Sequence, residues 1–310
     1  LTLPLDAHRL TFVDGVFSSA LSDLSELPAG VQVQPLSQAL EENHEAVGGP
    51  LGRLTGVEFS AFSALNTAFF EEGALVRLAP GTVVDKPIVL QFLSRANEAP
   101  VMSHPRILVE AAGRSEATLI EHYVGEADAA NFTNVVAELM LDRGAILNHY
   151  KLQEAPLGDL HVASIHVEQN RDSRYTSHNL NLGGALVRND LISDLNGQGA
   201  ETNFYGLFFG QGRQHVDNHT KVNHNAPLTF SNENYKGILD DRAHGVFNGK
   251  VYVKRDSQKI EGFQSNQNLL LSDRAQIDAK PELEIYADDV KCSHGCTVGQ
   301  FDEEALFYLK

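Results

Sequence analysis

The spacing of apolar residues along the chain changes once, at about Ala74. Before that point, three segments have a helix-forming composition or the three- and four-residue apolar spacing of amphipathic helices: residues 16–27, 36–46 and 59–70. After it, apolar residues recur at every second position, as in strands with one buried face. We therefore predict a mixed or helical N-terminal region over residues 1–75 and a β-rich core over residues 76–300.

The predicted strands of the core are short, and turn residues separate them. They comprise residues 87–92, 106–110, 117–123, 135–140, 146–150, 186–192, 204–209, 250–253, 269–271 and 283–286. No segment between them has the pattern of a crossover helix, which argues against a doubly wound α/β sheet.

Polar turns recur between these strands at a nearly constant interval. Turns lie at Arg114, Arg143, Arg171 and Gln198, and similar turns come at Arg242 and Arg274. A period of 20–50 residues built from strands and tight turns is typical of a solenoid. The turns favour a mainly β fold with a right-handed parallel β-helix core; a β-sandwich stays open as the alternative.

The charge balance and the cysteine count narrow the functional classes. The chain has 41 acidic against 24 basic residues, a formal charge of −17, which opposes binding to nucleic acid or to an anionic membrane surface. No run approaches the roughly 20 apolar residues that span a bilayer. The two cysteines lie in one segment instead of linking distant loops, so we expect a reducing, cytoplasmic location.

The segment around these cysteines is the first candidate for chemistry. Cys292, His294 and Cys296 alternate with other residues, so on a strand their side chains share one face. Thiolates and imidazole are ligands of soft metals and iron–sulfur clusters. Neighbours on that face are roughly 7 Å apart, too far for one tetrahedral ion unless Gly295 kinks the strand. The spacing indicates a partial site that a partner completes, or packed side chains without metal.

A second cluster of histidines is a weaker candidate. His215, Asp217 and His219 would share a strand face, with His224 nearby, but an exposed polar ladder gives the same pattern without a metal. The sequence contains neither a phosphate-binding P-loop nor a nucleophile elbow. We therefore expect that the chain is not an enzyme.

Residues 281–295 (PELEIYADDVKCSHG), with Thr297 and Gly299, resemble the signature of the SufB/SufD family of iron–sulfur cluster assembly proteins, and the SufD branch more closely. Shorter segments that resemble the same family are residues 11–15, 182–185, 247–249 and 266–271. The resemblance implies a β-helix core flanked by helical regions. It also implies that residues 301–310 begin a C-terminal helical domain that this sequence lacks.

The resemblance further implies a scaffold subunit that pairs with a SufB-like homologue and, through the missing domain, with a SufC-like ATPase. Such a subunit can also form a homodimer. Cys292 and His294 match the family's positions at a subunit interface, which implies a transient iron or cluster site shared with the partner and no tightly bound cofactor in the isolated subunit. Cys296 departs from the family pattern, as an extra ligand or as a packed apolar group. A polysaccharide-active β-helix enzyme and a purely structural homodimer are the alternatives.

Overall fold

The computed structural model describes residues 2–96, 99–126, 130–301 and 307–308. It has three short helices, α1 (Leu36–Glu42), α2 (His44–Gly48) and α3 (Ala61–Phe69). The strands are β1 (His8–Val13), β2 (Val16–Phe17), β3 (Val31–Pro35), β4 (Gly73–Leu78), β5 (Ile88–Ser94), β6 (Met102–Ser103), β7 (Arg106–Ala111), β8 (Glu116–Gly125), β9 (Phe132–Leu141), β10 (Ile146–Glu154), β11 (Leu160–Gln169), β12 (Arg174–Asn181), β13 (Leu186–Leu195), β14 (Glu201–Gly210), β15 (His215–His224), β16 (Phe230–Leu239), β17 (His244–Val253), β18 (Ile260–Leu270), β19 (Gln276–Ile285) and β20 (Val290–Gln300).

The strands form two long sheets, and consecutive strands from β7 to β20 alternate between them. The first sheet runs β2-β1-β5-β8-β10-β12-β14-β16-β18-β20, and the second runs β19-β17-β15-β13-β11-β9-β7-β4-β3. Apart from the antiparallel pairs β1–β2 and β3–β4, neighbouring strands along both sheets are parallel. The prediction of a mainly β protein with a parallel β-helix core is confirmed, and the handedness of the coil stays a prediction.

The side chains between the two sheets form a continuous column, which we call the lumen. In β13, β14 and β17 every second residue is buried, as expected for strands with one face turned inward. The first rungs fill the lumen with aliphatic groups such as Leu90, Ile107 and Val109. Later rungs place polar groups there, including Lys151 and Glu233, and each forms a hydrogen bond to a neutral side chain within the lumen.

The repeating turns stack at the corners of the solenoid. Arg114 donates its backbone N–H to the carbonyl of Arg143, and Gly144 donates in the same way to Arg171, at 2.9 Å each. Arg114 and Gly144 have φ angles of 60° and 69°, which fits the polar and glycine-rich composition of these turns. The turns at Arg242 and Arg274 lie at the opposite corner, after strands of the first sheet. The turn repeat found in the sequence therefore includes turns from two different corners of the solenoid.

The helix predicted over residues 16–27 is wrong. That segment contains β2 and a 3-10 turn at Ser19–Leu21. The Ser22 hydroxyl accepts from the Thr11 backbone N–H and donates to the carbonyl of Ser18. Serine side chains that bond to nearby backbone in this way favour turns over helix. Helices α1, α2 and α3 do form where residues 36–46 and 59–70 predict them.

Helix α3 is oriented against its apolar pattern. It buries Ser63 and Asn66, while Phe62 and Phe69 are exposed. The Asn66 amide donates to the backbone carbonyls of Pro105 and Asn134 at 3.0 and 2.9 Å. Hydrogen bonds to the backbone of β9 and of the residue before β7, which apolar spacing cannot reveal, therefore select the buried face of this helix.

The two sheets extend across residue 75. β1 pairs in parallel with β5, and β3 pairs with β4, so the N-terminal region contributes strands to both sheets. The division into regions at residues 75 and 76 stays a prediction. The predicted start of a C-terminal domain over residues 301–310 falls mostly outside the described residues. Within the part of the chain that the structure describes, no helix is long and apolar enough to cross a membrane.

Candidate functional site at the last rung

Cys292, His294 and Cys296 lie on β20, the final strand of the first sheet. Their register partners on β18 are Gly262, Gln264 and Asn266, in that order. The two side chains of that set, Gln264 and Asn266, are buried in the lumen, so the three candidate residues face the lumen too. No strand follows β20 in its sheet among the described residues, and within these residues His294 and Cys296 are exposed.

The site is therefore accessible from one end of the solenoid. Cys292 is partly buried against Val251, Val253 and Ile260. Cys296 is exposed, and its Sγ donates toward Asn266 Oδ1 at 3.5 Å. His294 is exposed. The sequence prediction that the three side chains share one face is consistent with this arrangement.

Both cysteines are thiols at neutral pH in this environment. Burial raises the pKa of Cys292, although a backbone hydrogen bond from Gly262 partly opposes it, and burial also raises the pKa of Cys296. Because metals bind the thiolate, each cysteine must lose a proton on binding. A metal bound through these thiols would therefore bind more tightly as the pH rises.

The three side chains do not converge on one point. β20 runs as a regular strand through Gly295, so the kink that would gather them is absent there. Within the described residues, no group of three or more His, Cys, Asp or Glu side chains is arranged to hold a metal ion. The geometry is therefore that of one thiol-and-imidazole face on the terminal strand, without a complete ligand set among the described residues.

The second candidate cluster forms ion pairs instead of a metal site. Asp217 accepts from Arg188 Nη1 at 2.5 Å and lies 2.9 Å from His219 Nε2. His215 packs edge-on against His244, and His224 points into the lumen, where it bonds Thr229 and Ser231. Arg188 and His219 already bind the Asp217 carboxylate, which leaves it poorly placed to bind a metal.

The floor of the open end is a feature that the sequence analysis missed. Gln264 and Asn266 lie directly below His294 and Cys296, one coil of the solenoid earlier in the chain. Glu233 lies one rung deeper, in register with Gln264. The regular interval between the turns indicates that residues one interval apart stack on each other. The strand register is needed to identify which residue lies below which.

Comparison with known proteins places the chain in a family. A family model described as "SUF system FeS cluster assembly, SufBD core domain" matches residues 92–310, and the SufBD N-terminal region matches residues 3–90. The chain belongs to the SufBD family. These matches confirm the family resemblance that residues 281–295 indicated, and the family acts in iron–sulfur cluster assembly.

Curated relatives of the SufBD chain are also described as iron–sulfur cluster assembly proteins. It is 34% identical to the iron–sulfur cluster assembly protein SufD of Escherichia coli, covering 100% of this chain and 71% of the relative. It is also 34% identical to an iron–sulfur cluster assembly SufBD family protein of Synechocystis, covering 98% of this chain and 69% of the relative. A SufBD family protein of Mycobacterium tuberculosis is 28% identical over 94% of the chain.

The family assignment supports a role for this SufBD protein in iron–sulfur cluster assembly. This role accords with thiol and imidazole groups at an open end of the fold, since both are cluster or iron ligands. It favours cluster assembly over a polysaccharide-active enzyme, because function follows the site and not the β-helix architecture.

Proposed function

We propose that the chain is a non-catalytic scaffold subunit that pairs through its last rung with a SufB-like homologue and acts with a SufC-like ATPase. In this complex, Cys292 and His294 supply ligands to incoming iron or a nascent cluster, which is the cargo of the system. The single observation that carries the proposal is the position of both residues on the lumen face of the terminal strand.

The two terminal strands differ in a way that favours pairing through β20. An uncovered strand edge offers unpaired backbone groups to another chain, and charges and proline protect against this. β19 carries four charged residues and Pro281, whereas β20 carries Lys291 as its one charged residue over 11 positions. β20 is therefore the edge that can accept a partner strand by β-augmentation.

A partner at this edge would complete the partial site. Side chains on one face of a single strand are too widely spaced to surround one ion, so the remaining ligands must come from a second surface. A strand paired with β20 lies roughly 4.8 Å away and projects its own side chains over the same face. Sharing the site would make binding transient, because separation of the subunits removes part of the ligand set.

Co-expression with SufB-like and SufC-like partners tests the proposal. We expect a stable complex that contains iron and sulfide, and we expect His294→Ala to lower both without changing the thermal midpoint of the chain. His44→Ala is the matched control, because His44 is an exposed histidine on α2, far along the fold from β20. Normal cluster content in the His294→Ala complex would reject the ligand role of His294. Failure to isolate any complex would reject the scaffold assignment.

A further inference from the structure

The carboxyl group of Glu233 is sealed in the lumen near the open end. Its side chain is fully buried on β16. Oε2 accepts from Thr220 Oγ1 at 2.7 Å and from Gln264 Nε2 at 3.2 Å. Within the described residues, Glu233 Oε1 and Gln264 Oε1 have no hydrogen-bond partner and are buried.

Among the residues that the structure describes, no cation compensates Glu233. Thr220 faces it from β15 and Gln264 from β18, and Phe204 is its register partner on β14. Tyr235, on the same strand, is a titratable neighbour, and burial raises its pKa, so it is neutral. No ion pair forms with Glu233 among the described residues. Burial therefore raises the pKa of Glu233 to about 7.

Glu233 belongs to the same column as the candidate site. The register runs from Glu233 through Gln264 to His294 on three successive strands of the first sheet. Two strand spacings separate Glu233 from the last rung, roughly 10 Å. Gly249, opposite in the second sheet, leaves the space that Gln264 fills, since a Cβ there would lie 2.3 Å from Gln264 Nε2.

We propose that Glu233 is linked to the terminal site through its proton: its carboxyl group is protonated while the end of the solenoid is empty and ionises when a metal cation binds at Cys292 and His294. The inference rests on the proposed ligand role of these residues. Glu233 is then a buried carboxylate, two rungs from the metal, whose negative charge offsets positive charge of the bound cation.

The positive charge of the metal and the Glu233 proton are coupled electrostatically, and the only chemical change at Glu233 is the loss of that proton. The O–H bond of the Glu233 carboxyl breaks, the proton passes to solvent water, and a carboxylate remains in the lumen. This proton is released in addition to the one lost by the Cys292 thiol, so a divalent cation bound there adds one net positive charge to the site. No electron moves and no further reactant is needed.

The size of the coupling follows from distance. At roughly 10 Å and an effective dielectric constant of about 20, one positive charge lowers a carboxyl pKa by about one unit. With a starting pKa of about 7, the extra release peaks at about half a proton per ion near pH 6.5 and nearly vanishes by about pH 8.5.

The experiment compares the wild-type chain with Glu233→Gln during titration with Cd²⁺ alone, a soft divalent cation that resists air oxidation. Cadmium–thiolate absorption reports occupancy, and calorimetry in buffers of different ionisation enthalpy reports the protons released. Both proteins lose the same thiol protons, so the difference isolates Glu233. Glu121→Gln is the control, because Glu121 is also sealed in the lumen but is held ionised by His149 and Lys151.

We expect the wild-type chain and Glu121→Gln to release about half a proton more per Cd²⁺ than Glu233→Gln at pH 6.5, with no difference at pH 8.5. At pH 6.5 the infrared band of the protonated Glu233 carboxyl should also weaken by more than half on binding, and Glu233→Gln should show no such change. Equal proton release from all three proteins, with Cd²⁺ bound to each, would overturn the linkage and leave the ligand role intact. Absence of cadmium–thiolate absorption at millimolar Cd²⁺, both in the isolated chain and in its complex with a SufB-like partner, would overturn both.

Discussion

Arg106 and Glu138 form an ion pair sealed between the second sheet and the N-terminal region, with side chains 1% and 0% exposed. Glu138 also accepts from the backbone N–H groups of Gly52 and Leu54, at 2.8 Å each. Arg106 Nη1 contacts Asn66 and Thr67 of α3. This one pair therefore fixes both the segment around Gly52 and α3 to the parallel strands.

Glu138→Gln should destabilise the chain strongly. The substitution leaves the guanidinium of Arg106 buried without a counter-charge, which costs about 3–5 kcal/mol of unfolding free energy. Urea unfolding measures the loss, and limited proteolysis near Arg53 should become faster. Glu110→Gln is the control, because the Arg77–Glu110 pair is partly exposed and contributes at most about 1 kcal/mol. Equal effects of the two substitutions would contradict the role of the buried pair.

Lys151→Met should remove a pH-dependent part of the stability. Burial lowers the pKa of Lys151 to about 8, although Glu121 partly opposes this. In the unfolded chain lysine titrates near pH 10.4, so between these values the unfolded state holds more protons and stability rises with pH. The unfolding free energy of the wild-type chain minus that of the variant should increase by roughly 3 kcal/mol from pH 8 to pH 10.5. A constant difference over this range in urea titrations would refute the buried-amine account.

Gly249→Ala should destabilise the chain, whereas Gly295→Ala should not. A Cβ at Gly249 would lie 2.3 Å from Gln264 Nε2 and 2.7 Å from the Phe247 ring, while one at Gly295 meets nothing within 4 Å. Overpacking of this kind costs about 1–3 kcal/mol, against about 0.5 kcal/mol or less at an open position. Thermal unfolding of the two variants provides the comparison, and similar midpoints would show that the lumen adapts at Gly249.

Much of the fold follows from the sequence pattern, because alternating apolar and polar residues between regularly spaced turns favour a solenoid. The chemistry of the lumen does not follow. In the sequence Glu121, Lys151 and Glu233 look like exposed charges. Only the structure shows that they lie on the strand faces that point into the lumen. The shared strand face of Cys292 and His294 was predictable from their spacing, whereas their role as ligands comes from the family resemblance and stays a prediction. Their floor, Gln264 and Asn266, was not, since it lies a full coil earlier in the chain. The burial of Asn66 instead of Phe69 depends on strand carbonyls that no local pattern reveals.

Val298→Lys should weaken partner binding without weakening the fold. Val298 is 52% exposed on the lumen face of β20, and an inward-pointing charge on an edge strand opposes pairing with another chain. Val83→Lys is the control, because Val83 is 58% exposed at the other end of the solenoid, beside Glu116. Co-purification with a SufB-like partner should fall for the first variant alone, at unchanged thermal midpoints. Undiminished recovery would point to an interface elsewhere.

The reactivity of Cys292 and Cys296 toward N-ethylmaleimide, measured for the free chain and for its complex with a SufB-like partner, tests the central claim most directly. In the free chain both thiols lie at an open end, so site-resolved mass spectrometry should find both modified, Cys296 faster than the partly buried Cys292. In the complex the partner covers the last rung, and both rates should fall at least about tenfold. Unchanged rates for both thiols in a fully formed complex would contradict the account.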